Sequence, residues 1–260
     1  MPGFLSVVVL SVLLLTGLFA SHTNADGSVE QQIRIKAEQG DAEAQNNLGM
    51  MYANGEGVAR DDKHAAFWFR KAAEQGYAEA QLILGLMYNE GQGGLEKDYS
   101  QSVAWFRKAA EQDLAMAQYN LGVMYANGAG VAHDDKQVVA WYRKAAEQGE
   151  AIAQNNLAAM YANGEGVAQD DKQAAFWFRK AADQGEAMAQ FNLGRMYFNG
   201  TVLSQDYAQA YMWTNLAAAQ ELEKAVKALD NLVKALTPSQ IEAGQKLVRE
   251  WIATHPQAAQ

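Results

Sequence analysis

A segment of about 36 residues recurs five times along this chain of 260 residues, and the repetition constrains the fold more than any local motif. Each copy carries Leu, Tyr and Trp in register, as at Leu48, Tyr52 and Trp68 of the first copy. A chain below about 40 residues buries too little surface to fold alone, so the copies are expected to stack on one another. The predicted repeats span residues 41–76, 77–113, 114–149, 150–185 and 186–220.

Each repeat has the pattern of two helices. In the first copy Ala44, Leu48 and Tyr52 lie four residues apart, which places them on one face of a helix. Asp61 suits the N-cap of a second helix, which carries Trp68 on its buried face. The chain has only three prolines and none lies within the repeats, so no helix is interrupted there. The sequence therefore predicts an all-α fold of stacked helix pairs.

The segments that flank the repeats are predicted to cap the stack. Residues 30–40 resemble the second half of a repeat and are expected to form an N-terminal capping helix. Residues 221–255 are expected to form C-terminal capping helices, the last of which begins with Thr237 as N-cap and Pro238 in its first turn. The residues of this last helix that are expected to face the stack are Ile241, Leu247, Val248, Trp251 and Ile252.

The N-terminus contains sixteen consecutive uncharged residues, from Leu5 to Ala20. This run is shorter than a membrane span of about 20 residues but suits the apolar core of a signal peptide. We expect residues 1–25 to be a signal peptide that is cleaved after Ala25 or Ala20. Because no Lys or Arg precedes the run, an uncleaved N-terminal anchor and an incorrect start codon remain as alternatives. Membrane contact is expected only through such an uncleaved leader.

Composition excludes several classes of function. The formal charge of −9 disfavours nucleic acid as a partner. The absence of cysteine excludes disulfides, thiolate metal sites and a cysteine nucleophile. No two of the four histidines have the spacing of a metal site on a helix, and His64 and His133 are interpreted as cap and loop residues. Common hydrolase and nucleotide-binding motifs are missing, so we expect no catalytic residue, no metal and no cofactor.

The repeat motifs A-x-A-Q-x-x-L-G-x-M-Y, N-G-x-G-V and W-[FY]-R-K-A-A-E-Q-G resemble the Sel1-like repeat family, which is related to the tetratricopeptide repeats. The resemblance implies an α/α right-handed superhelical solenoid that serves as a scaffold for protein–protein contacts. It also implies a bacterial protein that is exported to the periplasm or secreted. Some members were described as binding or hydrolysing β-lactams, but those are rich in cysteine, which this chain lacks.

Differences between the copies indicate a candidate binding groove on the first helices. The positions equivalent to 43, 46, 50 and 53 lie opposite the stripe of Leu48 and Tyr52, yet several copies carry large apolar side chains there. By resemblance to tetratricopeptide-like solenoids, these positions would line a concave surface, although packing against adjacent repeats is an alternative. The predicted groove residues are Leu82, Leu86, Met116, Tyr119, Val123, Ile152, Met188, Phe191, Arg195 and Phe198.

A basic pair, Arg-Lys, recurs in four second helices, as at Arg70 and Lys71. An acidic residue follows each Arg four positions later, so we expect local ion pairs along an exposed helix face.

These features together favour a protein-binding module rather than an enzyme. We expect a monomeric, exported scaffold whose concave surface binds a peptide or helix of an envelope or host protein. One alternative is a protein that binds or hydrolyses cell-wall peptidoglycan or β-lactams, and a second is a purely structural spacer. The sequence offers no nucleophile with an adjacent base, which disfavours the hydrolytic alternative.

Overall fold

The computed structural model describes residues 27–201 and 204–256, and the predicted signal peptide at 1–25 lies outside these residues. Over the described residues the chain forms thirteen helices and no strand, which confirms the all-α prediction. The helices are α1 (Gly27–Glu38), α2 (Ala42–Asn54), α3 (Asp62–Glu74), α4 (Ala78–Glu90), α5 (Tyr99–Ala110), α6 (Ala115–Asn127), α7 (Asp135–Glu147), α8 (Ala151–Asn163), α9 (Asp171–Asp183), α10 (Ala187–Asn199), α11 (Tyr207–Ala219), α12 (Glu223–Ala235) and α13 (Pro238–Thr254).

Helices α2 to α11 form five successive pairs, one in each repeat, and we refer to the first and the second helix of a repeat. Every second helix begins at the predicted aspartate, whose carboxylate accepts hydrogen bonds from backbone N–H groups of the first turn. Glycine ends most first helices in the left-handed region, as Gly55 does at φ 75°. Thr237 is the N-cap of α13, as the sequence predicts, and it forms a reciprocal capping box with Gln240.

The described chain divides into two compact units. The first contains the described residues up to Ala117 together with Ala129–Val131, and the second contains Gln118–Gly128 and the residues from Ala132 onward. In the first unit, one apolar cluster joins Ala65, Ala66 and Phe69 of α3 to Met87 of α4. Similar clusters lie between α1 and α2 and between α3 and α4. The core of the first unit is therefore built at each contact between successive helices.

The second unit has a larger continuous core. It extends from Val138 of α7 to Trp251 of α13 and includes the fully buried Leu157 and Trp213. Trp213 contacts Trp251 edge to face with ring centroids 6.1 Å apart, so the last helix covers the fifth repeat. The prediction that Ile252 also faces the stack is wrong, because its side chain is 43% exposed. It follows Trp251 directly and so lies about 100° further round the helix.

Close packing within a repeat depends on a small residue in the first helix. A Cβ atom added to Gly85 of α4 would lie 2.6 Å from Cδ1 of Phe106 in α5, far inside van der Waals contact. The fourth repeat has Ala158 at this position, fully buried in the core that also contains Phe178.

Candidate protein-binding surface

In the first unit, two of the predicted groove residues are buried. Leu82 and Leu86 of α4 are only 4% and 6% exposed, so the prediction of an exposed surface at these positions is wrong. Helix α4 is almost entirely buried along its length, since apolar residues on several faces pack at once. Met116, the third predicted residue of this unit, is half-buried.

In the second unit, Tyr119 and Val123 of α6 pack against the main core. The ring of Tyr119 stacks on that of Tyr142 with centroids 5.7 Å apart. Burial raises the pKa of both phenols, and Asn156 forms a hydrogen bond with each of them. Tyr119 is thus a packing residue in addition to any role at the surface, which agrees with the alternative that some groove positions contact adjacent repeats.

The remaining five predicted residues of the second unit are accessible. Ile152 and Phe198 are 37% and 38% exposed, and Arg195 is also exposed. The guanidinium of Arg195 lies 5.8 Å from the ring centroid of Phe191, and both project from α10. We call these residues, which lie on α8 and α10, the exposed strip: Ile152, Met188, Phe191, Arg195 and Phe198.

A repeated glutamine pair holds the first helices in place. In the fourth repeat the buried Gln154 donates from Nε2 to the carbonyl oxygen of Ala146 in the preceding repeat, at 3.0 Å. Its Oε1 accepts a hydrogen bond from Nε2 of Gln184, which follows the second helix of its own repeat, at 2.8 Å. Equivalent glutamine–glutamine bonds occur in all five repeats, at 2.7 to 3.0 Å. Gln45, Gln81 and Gln190 donate to a carbonyl oxygen eight positions earlier in the same way, so these bonds fix four first helices against both neighbouring helices.

The sequence analysis did not assign a role to these glutamines. The available signal was the presence of Gln at two fixed positions in every copy, including one on the face of the helix that is otherwise apolar. A buried glutamine in a regular apolar pattern indicates a side chain with specific hydrogen-bond partners, because an unpaired buried amide is costly. The five buried members are Gln45, Gln81, Gln118, Gln154 and Gln190.

Arg70, Arg143 and Arg179 contact tyrosines of the next repeat, a contact that the sequence analysis did not predict. Arg143 donates from Nη2 to the hydroxyl oxygen of Tyr161 at 2.7 Å, and its guanidinium lies 5.9 Å from the ring centroid. Arg70 and Arg179 make the same contacts with the tyrosines 18 positions later. Arg179 also approaches Asp183 at 4.0 Å, the outer limit for an ion pair. These three arginines therefore connect successive repeats, and Arg179 also lies near the acidic residue of its own helix.

The recurring lysines lie over aromatic rings of their own helix. In the first and fourth repeats one of these rings is an exposed phenylalanine. Nζ of Lys180 lies 5.0 Å from the ring centroid of Phe176 and 5.4 Å from that of Trp177. Phe176 is 48% exposed, and Phe67 is the equivalent residue of the first repeat, at 50%. The sequence analysis missed these two residues, although the contrast with Ala104 and Ala140 at the same position of the second and third copies was an available signal.

The histidines that were considered as ligands lie at helix starts. His64 Nδ1 is 2.8 Å from Oδ2 of Asp61, and hydrogen bonds to His64 hold the pKa of that carboxyl below its usual range. His133 contacts the carbonyl oxygen of Ala126 and the carboxylate of Asp135, and both interactions raise its pKa. No group of three or more possible metal-ligating side chains occurs within residues 27–201 and 204–256.

Five helix pairs joined by repeated side-chain hydrogen bonds define a protein of the helical-repeat class, an α/α solenoid. The Sel1 repeat profile matches residues 42–77, 78–114, 115–150, 151–186 and 187–222, and the chain therefore belongs to the Sel1 repeat family. Sel1 repeat proteins generally mediate protein–protein interactions and are generally not enzymes.

The solved structures that resemble this chain over most of its length include two with more than 30% identity. One is c5321, a protective antigen of uropathogenic Escherichia coli with the same type of repeat fold, at 36% identity and a TM-score of 0.81. The alignment covers 88% of this chain but 50% of the antigen, so the chain spans about half of that protein. The other is a Sel1 repeat protein from Oxalobacter formigenes, at 32% identity and a TM-score of 0.71, with coverage of 85% and 86%.

No protein of curated function matched the chain. Among the helices of the described residues, none has both the length and the apolar character needed to cross a membrane.

Proposed function

We propose that this chain is an exported, monomeric, non-enzymatic scaffold that binds a peptide or helix of another protein through the exposed strip on α8 and α10. The observation that carries this proposal is the accessibility of Ile152 and Phe198 on α8 and α10, whose opposite faces hold the buried Leu157 and Leu193. Exposed apolar side chains that lie together are typical of binding surfaces. Tyr119 and Val123 of α6 pack against the same core as the buried faces of α8 and α10.

Affinity capture with the purified chain tests this surface. The bait is compared with the double variant Ile152→Ser and Phe198→Ser, because both side chains are accessible and their loss leaves the core intact. The matched control is Phe176→Ser with Val233→Ser, which removes two apolar side chains from α9 and α12 that are somewhat more exposed, at 48% and 46%. We expect capture of a specific envelope or host protein by the wild type and the control, and at least ten-fold less by the strip variant. Equal capture by all three baits would contradict the proposal.

Export rests on the uncharged run from Leu5 to Ala20 and on the frequent occurrence of Sel1 repeats in exported bacterial proteins. Fractionation of expressing bacteria, with mass measurement of the purified chain, tests it. A periplasmic or secreted product that has lost its first 20 or 25 residues is expected. A cytoplasmic product of full mass would exclude both cleavage and export.

A further inference from the structure

The exposed strip begins beside two carboxylates that occupy equal positions in successive repeats. Glu150 is the residue before α8 and Glu186 is the residue before α10, both in extended backbone conformation. Ile152 and Met188 of the exposed strip follow these residues by two positions. In the first three repeats the same position holds Asp41, Tyr77 and Leu114, so glutamate stands here only beside the exposed strip.

Both carboxylates are partly removed from water without a cation beside them. Each residue is half-buried, and burial is the main cause that raises the pKa of both carboxyl groups. The side chain of Glu186 accepts a hydrogen bond from the backbone N–H of Ala189, and the backbone N–H of Ile152 partly offsets the effect of burial on the pKa of Glu150. No ion pair among the described residues includes either glutamate. A cation that approached them would therefore meet two poorly solvated negative charges.

The two carboxylates act on the same side chain. Burial is the main cause of the raised pKa of Tyr119, and the negative charges of Glu150 and Glu186 raise it further. Tyr119 is held in place by its stacking on Tyr142. Glu150 and Glu186 thus hold equivalent half-buried positions in successive repeats, and the field of each reaches the same stacked tyrosine.

The opposite end of the strip has the opposite charge. Arg195 lies nine positions after Glu186 along α10, which corresponds to about 13 Å of helix. Phe191 lies between them and contacts the Arg195 guanidinium. A ligand with its positive charge at the glutamate end and its apolar groups over Met188 and Phe191 would complement this arrangement, and the reverse orientation would place like charges together.

We propose that the exposed strip binds a basic, amphipathic segment of a partner protein, with a Lys or Arg placed at Glu150 and Glu186 and adjacent aliphatic side chains on Ile152, Met188 and Phe191. This inference rests on the proposed function, since it names the chemistry of the partner that the same strip would bind. The net charge of −9 adds a long-range attraction for such a segment.

Selection from a displayed library of random dodecapeptides tests the proposed partner chemistry. The baits are the purified wild-type chain, Glu150→Gln with Glu186→Gln, and Ile152→Ser with Phe198→Ser. The matched control is Glu147→Gln with Glu165→Gln, which makes the same change of charge at two exposed residues of the second unit. Thermal unfolding by circular dichroism verifies that every bait is folded.

We expect the wild type and the matched control to enrich peptides in which Lys or Arg neighbours Leu, Ile or Val. The Glu150/Glu186 variant is expected to lose the enrichment of basic residues and to bind a selected peptide about ten-fold more weakly. Apolar peptides without a basic bias, or a bias that persists in that variant, would overturn the partner chemistry and leave the proposed function standing. Failure of the wild type to enrich any peptide beyond the Ile152/Phe198 variant would overturn both.

Discussion

Gln154 and Gln184 are separated by 30 positions in the sequence and joined by a hydrogen bond of 2.8 Å between Nε2 of the second and Oε1 of the first. Because Gln154 also donates to the preceding repeat, its amide connects three helices: α7, α8 and the end of α9. The same arrangement recurs along the chain. The side chain of one buried polar residue in each helix thus holds α8 and α10 in position, and with them the exposed strip.

Removal of this amide should destabilise the fold. In Gln154→Leu the Gln184 amide loses its acceptor and the Ala146 carbonyl loses a donor, at a cost of about 1–3 kcal/mol. Urea unfolding of the purified chain measures the loss. The control is Gln173→Ala, whose exposed side chain should change the unfolding free energy by less than about 0.5 kcal/mol. Equal losses in the two variants would remove the glutamine pair as a determinant of helix position.

The contact of Arg143 with Tyr161 should be measurable as a coupling between repeats. In a double-mutant cycle of Arg143→Lys and Tyr161→Phe, we expect a coupling of about 0.5–1.5 kcal/mol, because either change alone removes the same hydrogen bond. Glu147→Gln tests the local ion pair that the sequence favours and should cost little, since such exposed pairs contribute about 0.3–0.5 kcal/mol. Additive single effects, together with a larger loss in Glu147→Gln, would show that the local pair dominates.

The close approach of α4 and α5 should make Gly85 intolerant of a side chain. Gly85→Ala places a methyl group 2.6 Å from the Phe106 ring and should cost about 1–3 kcal/mol, even though alanine favours helix formation. The comparison is Ala158→Gly in the fourth repeat, where loss of helix propensity alone predicts about 1 kcal/mol. Thermal unfolding of both variants measures these costs. An unchanged or raised midpoint for Gly85→Ala would mean that Phe106 moves aside freely.

Glu150 should make the stability of the fold depend on pH. Burial raises its pKa in the folded chain, so the ionised carboxylate opposes folding at neutral pH. This penalty disappears as the pH falls below the ordinary carboxyl pKa of about 4.3, where the group is protonated in both states. Glu150→Gln is therefore expected to be more stable than the wild type at pH 7.5, with a difference that shrinks towards pH 4. Unfolding midpoints across this range measure it, and a difference that is constant with pH would contradict the assignment.

The helix pairs and their caps could be predicted because they depend on local patterns. Apolar spacing around Leu48 and an aspartate before each second helix, as at Asp61, are sufficient to place those elements. The accessibility of the strip could not be predicted in the same way. Leu82 and Ile152 lie at strip positions of their helices, yet Leu82 is buried and Ile152 is exposed, because neighbouring elements decide which faces are covered.

Partners that lie far apart in the sequence were also beyond prediction. The spacing of Arg143 and Glu147 suggested a pair on one helix turn, whereas the nearest acceptor is Tyr161, in the following repeat. A recurrent charge can be paired locally or across repeats, and the sequence spacing alone does not distinguish the two. Glutamine at Gln154 gave a stronger signal, since an amide on an apolar face needs partners.

A glutamine side chain donates a hydrogen bond to a backbone carbonyl of the preceding repeat, and the regularity of this bond affects how such a chain can change in length. Gln190 meets Ala182 as Gln154 meets Ala146, so successive junctions offer the same complementary groups. If a second copy of residues 150–185 were inserted directly after the first, both of its junctions would pair a glutamine side chain with a backbone carbonyl, as the present junctions do. Growth by whole modules would therefore add new recognition surface without requiring any new interface to be invented.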